Sequence, residues 1–379
     1  MSNPIFKWSR SVAALVLSLI LPLSFLVSGI ALQSLASFTP WLVERIYTRP
    51  IYPRVVSSLS FLSRRVGFSV GEVALYVILL VGCAGAVLFC AGLARRRDRW
   101  RSWVSELIRY GVWAAAGFLW LFLLTFGLNY QRPLLFELLG YEYRKAEPQE
   151  FAGLGQMMVE SVNQSYAEAH AGDRAAPNTR EIVGLLNESY NSQQEFALLP
   201  RGELAPPKPV YASGVLTRLG ISGIYFPFTA EPNYNADVPD FQLPFTIAHE
   251  MAHQRGVARE SEANFVAYVV CINSRDPFVR YSGYRNGLGV LSELYRVNPE
   301  KARELARQLG PGYREDSRRA AQFWAKASGA AGVLSNRVND LYLRANRVRS
   351  GVADYSDSTT LIIAYHLWQR ASGALESQH

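Results

Sequence analysis

Three long stretches without a charged residue constrain this chain more than any other feature of its sequence. Ser11 to Val43 carries no charge, and its first part, Val12 to about Leu35, is dense in Leu, Val and Ile. Val73 to Ala94 is a second such run and Tyr110 to Tyr130 a third. Each supplies the ~20 apolar residues that a helix needs to cross a ~30 Å hydrocarbon layer. The expectation is three transmembrane helices, about 12–35, 73–94 and 110–130, so that residues 1–130 form a membrane region. Lys7 and Arg10 ahead of the first run also suit a signal peptide. The length of the run and the poor small-residue pattern from Ser34 to Ser37 favour a retained helix, in which Pro22 is tolerated.

Arginines set the expected orientation. Arg95, Arg96, Arg97, Arg99 and Arg101 lie between the second and third runs, with Asp98 the only acid among them. Short loops this rich in arginine stay in the cytoplasm, and Lys7 and Arg10 put the N-terminus there too. Everything after Tyr130 then faces outward. The loop from Glu44 to Glu72 pulls the other way, because Arg45, Arg49, Arg54, Arg64 and Arg65 would also lie outside. The net charge of +8 comes largely from arginines beside apolar runs, which argues for membrane topology and against nucleic-acid binding. Of three cysteines, Cys83 and Cys90 sit in an apolar run and Cys271 stands alone, so neither a disulfide framework nor a Cys-x-x-Cys metal site is implied.

Residues 131–379 read as a second, extracytoplasmic domain. Glu150 to about His170 and Thr179 to about Phe196 have the pattern of amphipathic helices. After the proline-rich connector Ala205 to Pro209 come two β-type runs, Val210 to Leu216 and Gly223 to Thr229. Pro227 confines the second to a sheet edge. From Pro244 the chain reads as helical nearly to its end, with breaks near Asp276-Pro277, Gly310-Pro311-Gly312 and Gly351.

The chemistry is concentrated in His249-Glu250-Met251-Ala252-His253. Residues four apart on a helix share a face, so both imidazoles can reach one zinc ion at ~2.0–2.1 Å. Glu250 falls where its carboxylate can take a proton from a water activated by the metal. Pro244 suits the first turn of this helix, and Gly256 suits a left-handed cap at its end. The competing view is a surface helix with two solvated histidines, which would have no third ligand downstream. Seven residues past His253, however, comes Glu260, in Glu260-Ser261-Glu262-Ala263-Asn264. A catalytic zinc takes three protein ligands, and a turn at Gly256 can return the chain to the metal. Glu260 is favoured as the third ligand and Glu262 is the alternative. The helical partner of Glu260 is polar Asn264, which can orient a ligating histidine, while Glu262 pairs with Val266.

His-Glu-x-x-His followed by Glu-x-x-Ala-Asn resembles the gluzincin metallopeptidases. The wider stretch from Gly223-Ile-Tyr-Phe-Pro-Phe-Thr through Leu243 to Gly256 resembles a bacterial three-span membrane family, domain of unknown function 3810. That similarity extends over most of the chain, including Asn339 to Arg344 and Gly351 to Tyr355. It implies a mainly α protein, with three transmembrane helices and a helical zincin-like domain bearing a small β edge sheet. It also implies a bacterial inner-membrane location, with that domain on the periplasmic side. The gap between His253 and Glu260 is shorter than in most gluzincins. The gluzincin resemblance further implies a substrate-binding edge strand, here Ile224, Tyr225 and Phe226, whose other reading is a plain half-buried strand. An oxyanion stabiliser should come from further along, with Tyr281, Tyr284, Arg285 and His366 as candidates that read equally as packed residues.

The expected function is zinc-dependent hydrolysis of a peptide bond, in a protein or peptide near the outer membrane face. Zinc activates the water, held by His249, His253 and Glu260, and Glu250 is the general base. The partners are the lipid bilayer and this substrate. The alternative is a non-catalytic zinc-binding membrane sensor or assembly factor, against which the presence of Glu250 counts. A transporter is disfavoured by spans without charge.

Overall fold

A computed structural model describes residues 4–95, 100–141, 147–172, 175–202, 204–327, 329–346, 354–371 and 373. Of the arginine cluster, Arg96, Arg97 and Arg99 lie outside the described residues, as do Gly351 and the terminal His379. The chain is mainly helical with one small sheet, as the sequence led us to expect.

Three long apolar helices come first: α1 (Pro4–Phe38), α4 (Val70–Arg95) and α5 (Trp100–Thr125). Their stretches long and apolar enough to cross a membrane are Leu17–Phe38, Val70–Arg95 and Ser102–Thr125. The third lies several residues nearer the N-terminus than expected. At Phe126 the backbone leaves helical geometry, and Gly127–Gln131 forms a buried 3-10 turn. Helices α1 and α5 are packed together. Phe25 stacks on Trp120 at 5.4 Å, and Trp120 Nε1 donates to the Phe25 carbonyl at 2.9 Å. Gly29 makes room for this, since a Cβ there would lie 2.9 Å from Leu119.

The expected loop from Glu44 to Glu72 is instead mostly helical: after α2 (Pro40–Val43) come a π-helical turn (Glu44–Thr48) and α3 (Tyr52–Ser63), and α4 already begins at Val70. Tyr52, Val56, Ser60 and Ser63 recur at helical spacing and are buried, which sequence hydropathy alone understated. A short α6 (Leu135–Leu139) leads into α7 (Pro148–Ala169) and α8 (Thr179–Ser192), the two expected amphipathic helices. Asn178 and Glu181 close a capping box on α8.

The sheet corrects two expectations. Val210 to Leu216 is not a strand: β1 covers Lys208–Val210, and α9 (Ser213–Leu219) follows, capped by Gly220 at φ 75°. A short apolar run suits either state, and only its neighbours decide. β2 (Gly223–Phe226) is the expected edge strand, but it stops before Pro227. The central strand, β3 (Glu231–Asn235), was not anticipated, because its polar Glu-Pro-Asn-Tyr-Asn shows no apolar alternation. It runs parallel to β1 and antiparallel to β2. Pro232 lies opposite Tyr225, and β1 begins only opposite Asn233, so the missing N–H costs no ladder bond.

The buried polar side chains of β3 act as brackets. Glu231 accepts from the backbone N–H groups of Val70 (3.1 Å) and Gly71 (2.8 Å), satisfying orphan donors at the start of α4, and pairs with buried Lys208. Glu72 of α4 in turn accepts from the N–H groups of Tyr211 and Ala212, both at 2.8 Å.

Helices α10 (Leu243–Gln254) and α11 (Glu260–Ile272) follow the sheet, then α12 (Pro277–Gly287), α13 (Gly289–Val297), α14 (Pro299–Arg307) and α15 (Pro311–Trp324). Described last are α16 (Ala330–Ala345) and α17 (Asp354–Ala371). α11 is the axis of the main core: Phe265, Tyr268 and Val269 are fully buried, and the helix packs against α8, α10, α12 and α17. A second apolar cluster joins Tyr47, Tyr52 and Val56 to Phe122, Phe126 and Tyr225. It is continuous from the ends of α1 and α5 to the underside of the sheet.

Candidate metal centre

α10 carries His249 and His253 on one face, and the chain then turns so that the first residue of α11 meets them. That turn depends on Gly256. Its φ of 85° is in the left-handed region, and a Cβ there would lie 2.8 Å from the Tyr52 ring. Glu260 Oε2 consequently lies 3.1 Å from His249 Nε2 and 3.5 Å from His253 Nε2, and the two Nε2 atoms are 3.0 Å apart. Three donors around a tetrahedral zinc at ~2.0–2.1 Å are roughly 3.3 Å from one another.

The hydrogen bonds behind the rings settle which nitrogens carry protons. His253 Nδ1 is 2.7 Å from the Val257 carbonyl, which can only accept, so Nδ1–H is the donor. His249 Nδ1 likewise donates to Asn264 Oδ1 at 2.8 Å. With Nδ1 the donor on each ring, the two Nε2 atoms face each other and a carboxylate oxygen. Three acceptors this close without a donor repel unless a cation lies between them. His249, His253 and Glu260 thus form a group that could hold a metal ion.

The site's electrostatics agree. Burial would raise the Glu260 carboxyl, but the two imidazoles outweigh it and hold Glu260 well below the usual carboxylate range. Burial would lower His253, yet Glu260 raises it to about 9, so a proton occupies the site when no metal does. Glu250, one residue after His249, is pushed up to about 7 by burial, against the pull of both histidines.

The structure separates the two candidate acids. Glu262 turns away from the histidines and accepts from the Leu135 N–H (2.7 Å) and Arg259 Nη1 (3.2 Å). We expect Glu260→Gln to abolish stoichiometric zinc binding and Glu262→Gln to preserve it, as measured by metal analysis of the purified proteins. Asn264, one helical turn past Glu260, lies behind His249.

A cleft of about 1080 Å³ opens over the group, walled by α10, β2 and α16. Ile224 and Tyr225 line it, whereas Phe226 packs on Gly71 at the start of α4. Glu250 also lines it, with Gly223 flush against its carboxylate: a Cβ at Gly223 would lie 2.5 Å from Oε1. The candidate oxyanion residues do not line the cleft. Tyr281 donates to Asp316, buried His366 pairs with the Tyr268 hydroxyl, and Arg285 lies over the Phe241 ring. Tyr284 packs against the main core. Polar side chains on the cleft wall instead include Gln242, Thr246, Asn286, Asn336, Asn339 and Tyr342. For Asn339 and Tyr342 the signal in the sequence was their stretch of family resemblance alone.

Membrane-proximal residues hold the turn between the second histidine and Glu260. The Tyr52 hydroxyl donates to the Gln254 carbonyl at 3.0 Å, and Arg132 Nη1 donates to the Gly256 carbonyl at 3.3 Å. Arg132 is itself paired with buried Glu44 at 3.1 Å. Arg259 donates to the carbonyls of Tyr130 and Arg132, and the Phe126 ring meets His253 edge-on at 6.3 Å.

Residues 47–363 match a protein family described as "Protein of unknown function (DUF3810)". No curated protein and no solved structure matches the chain.

Proposed function

The chain belongs to the DUF3810 family, and we propose that it is a membrane-anchored zinc metallopeptidase of gluzincin type. The observation that carries this reading is the convergence of two imidazole nitrogens and one carboxylate oxygen, with Glu250 alongside on the cleft wall. Two imidazoles and a carboxylate suit zinc, with a fourth position left for the reaction.

When bound, zinc would supply Lewis acidity to the scissile carbonyl and acidify the attacking water. Glu250 accepts the proton of that water and passes it to the departing amide nitrogen. Its contact with Gly223 ties the base to the strand that aligns the substrate. The edge of β2 holds an extended main chain beside the metal group. The proposed topology puts residues 131–379 outside the cytoplasm, on the strength of Lys7, Arg10 and the arginines from Arg95 to Arg101.

The test uses full-length protein in detergent, loaded with zinc and incubated with a mixed peptide library read by mass spectrometry. Cleavage should be lost on chelation, restored by zinc, and reduced about 10²–10⁴-fold in Glu250→Gln at unchanged metal content. A zinc-loaded protein that cleaves nothing would instead be a metal-binding sensor or assembly factor.

A further inference from the structure

The metal group lies at the outer end of a membrane span, and an aromatic ladder joins the two. Phe118 and Phe122 fall four apart on α5 and so share one face, and Phe126, the residue just past its end, meets Phe122 at 6.5 Å. Phe118, 62% exposed inside the span, meets Phe228 of the β2–β3 turn at 5.3 Å. Phe122 meets Tyr342 of α16 at 6.1 Å. Phe126 reaches Tyr225 at 5.1 Å and His253 at 6.3 Å. At 1.5 Å per residue the ladder climbs about 12 Å, and the β2–β3 turn descends to a level about 10 Å below the end of α5. Beside this ladder, Phe126, Pro227 and Tyr342 line the cleft.

The lining also defines what fits. Apart from Glu250 and the metal group itself, no Lys, Arg, Asp or Glu lines the cleft among the described residues. Along α16, Leu334, Val338 and Leu341 present an exposed apolar stripe, and the first two line the cleft. On the opposite wall, Ser222 accepts from Asn235 N–H at 2.8 Å. Antiparallel alternation then gives Ile224 and Phe226 to β3 and turns the N–H and C=O of Gly223 and Tyr225 to the open edge. An acyl chain has no use for those groups. An extended polypeptide leaving a bilayer needs them, because its peptide groups find no partners in hydrocarbon.

We propose that the cleft takes a membrane-inserted polypeptide segment, apolar and uncharged, which leaves the outer leaflet past Phe118 and Phe228 and lies extended on the free edge of β2. This rests on the peptidase reading and specifies its substrate class and its route of access. Cleavage then falls at the point where a transmembrane segment meets the membrane surface.

The test uses full-length, zinc-loaded protein in lipid nanodiscs and three hydroxamates carrying the same short uncharged peptide. One is soluble. The second is joined directly to an apolar helix of ~20 residues held in the disc. The third is joined to the same helix through a flexible linker of ~20 residues, long enough to reach the site from the water side. The directly joined hydroxamate should bind at least as tightly as the linked one. Phe228→Asp and, independently, Phe118→Ser should weaken it by about tenfold or more while leaving the soluble one unchanged. Retained binding of the soluble hydroxamate shows that each variant is folded. If the directly joined probe fails to bind while the other two bind, or if neither variant affects it, the site is reached from the water and the proposal is overturned. If none of the three binds, or if binding survives His249→Ala, the peptidase reading falls and takes the proposal with it.

Discussion

Purified full-length protein is expected to carry one zinc ion per chain, His249→Ala none, and Glu250→Gln the full complement. His249 supplies one of three donors whose Nε2 and carboxylate oxygens lie 3.0–3.5 Å apart, so its removal leaves an incomplete tetrahedral set. The loss should far exceed the ~10–100-fold that follows removal of a supporting hydrogen bond such as that from Asn264. His249 is a cleaner choice than His253, whose ring also packs against Phe126 in the junction core. The wild-type protein should also release a proton on binding metal. His253 is held up to about 9 by Glu260, so below that pH the ion displaces a proton and affinity rises as pH increases toward 9. Titration calorimetry in buffers of different ionisation enthalpy measures this release. A well-folded wild type that takes up no metal at pH 8 would remove the basis of the proposed function.

The second large effect is expected from Arg132→Met, which touches neither metal nor cleft. Arg132 and Glu44 form an ion pair with side-chain exposures of 2% and 3%. Removing one partner of such a pair costs ~3–5 kcal/mol, because the other charge stays buried. The lower end is expected, since Arg49 still reaches Glu44 at 3.0 Å. The same substitution deletes the donor to the Gly256 carbonyl and loosens the turn between His253 and Glu260. Zinc affinity should fall ~10–100-fold, the range found when groups behind a ligand are lost. The double variant Glu44→Met/Arg132→Met separates the two effects. Its thermal stability should recover, because apolar replacement of a buried pair is often neutral, while the zinc affinity stays low. Equal recovery of both would show that Arg132 acts through stability alone. On the same reasoning residues 131–379 expressed alone should bind zinc poorly, having lost Tyr52, Glu44 and Phe126.

Everything legible in the sequence depends on local geometry. Apolar runs long enough to span a bilayer, histidines four apart and Asn264 one turn beyond Glu260 all follow from helical rise and period. So does the need for glycine at position 256, where the chain must reverse at once. The same local rules misread Val210 to Leu216, where a short apolar run fits a strand and a helix equally well. They also passed over β3, whose polar residues are buried because Glu231 caps α4 and Asn235 bonds Thr217 Oγ1 at 2.9 Å, partners that only folding supplies. Tertiary structure brings Glu260 and not Glu262 beside the histidines, because Leu135 and Arg259 hold Glu262 elsewhere. It alone brought Tyr342 and Phe126 to the cleft and Arg132 to the Gly256 carbonyl. Those contacts join residues about 80–220 positions apart in sequence, and at such separations position is set by how helices pack, which no local spacing encodes.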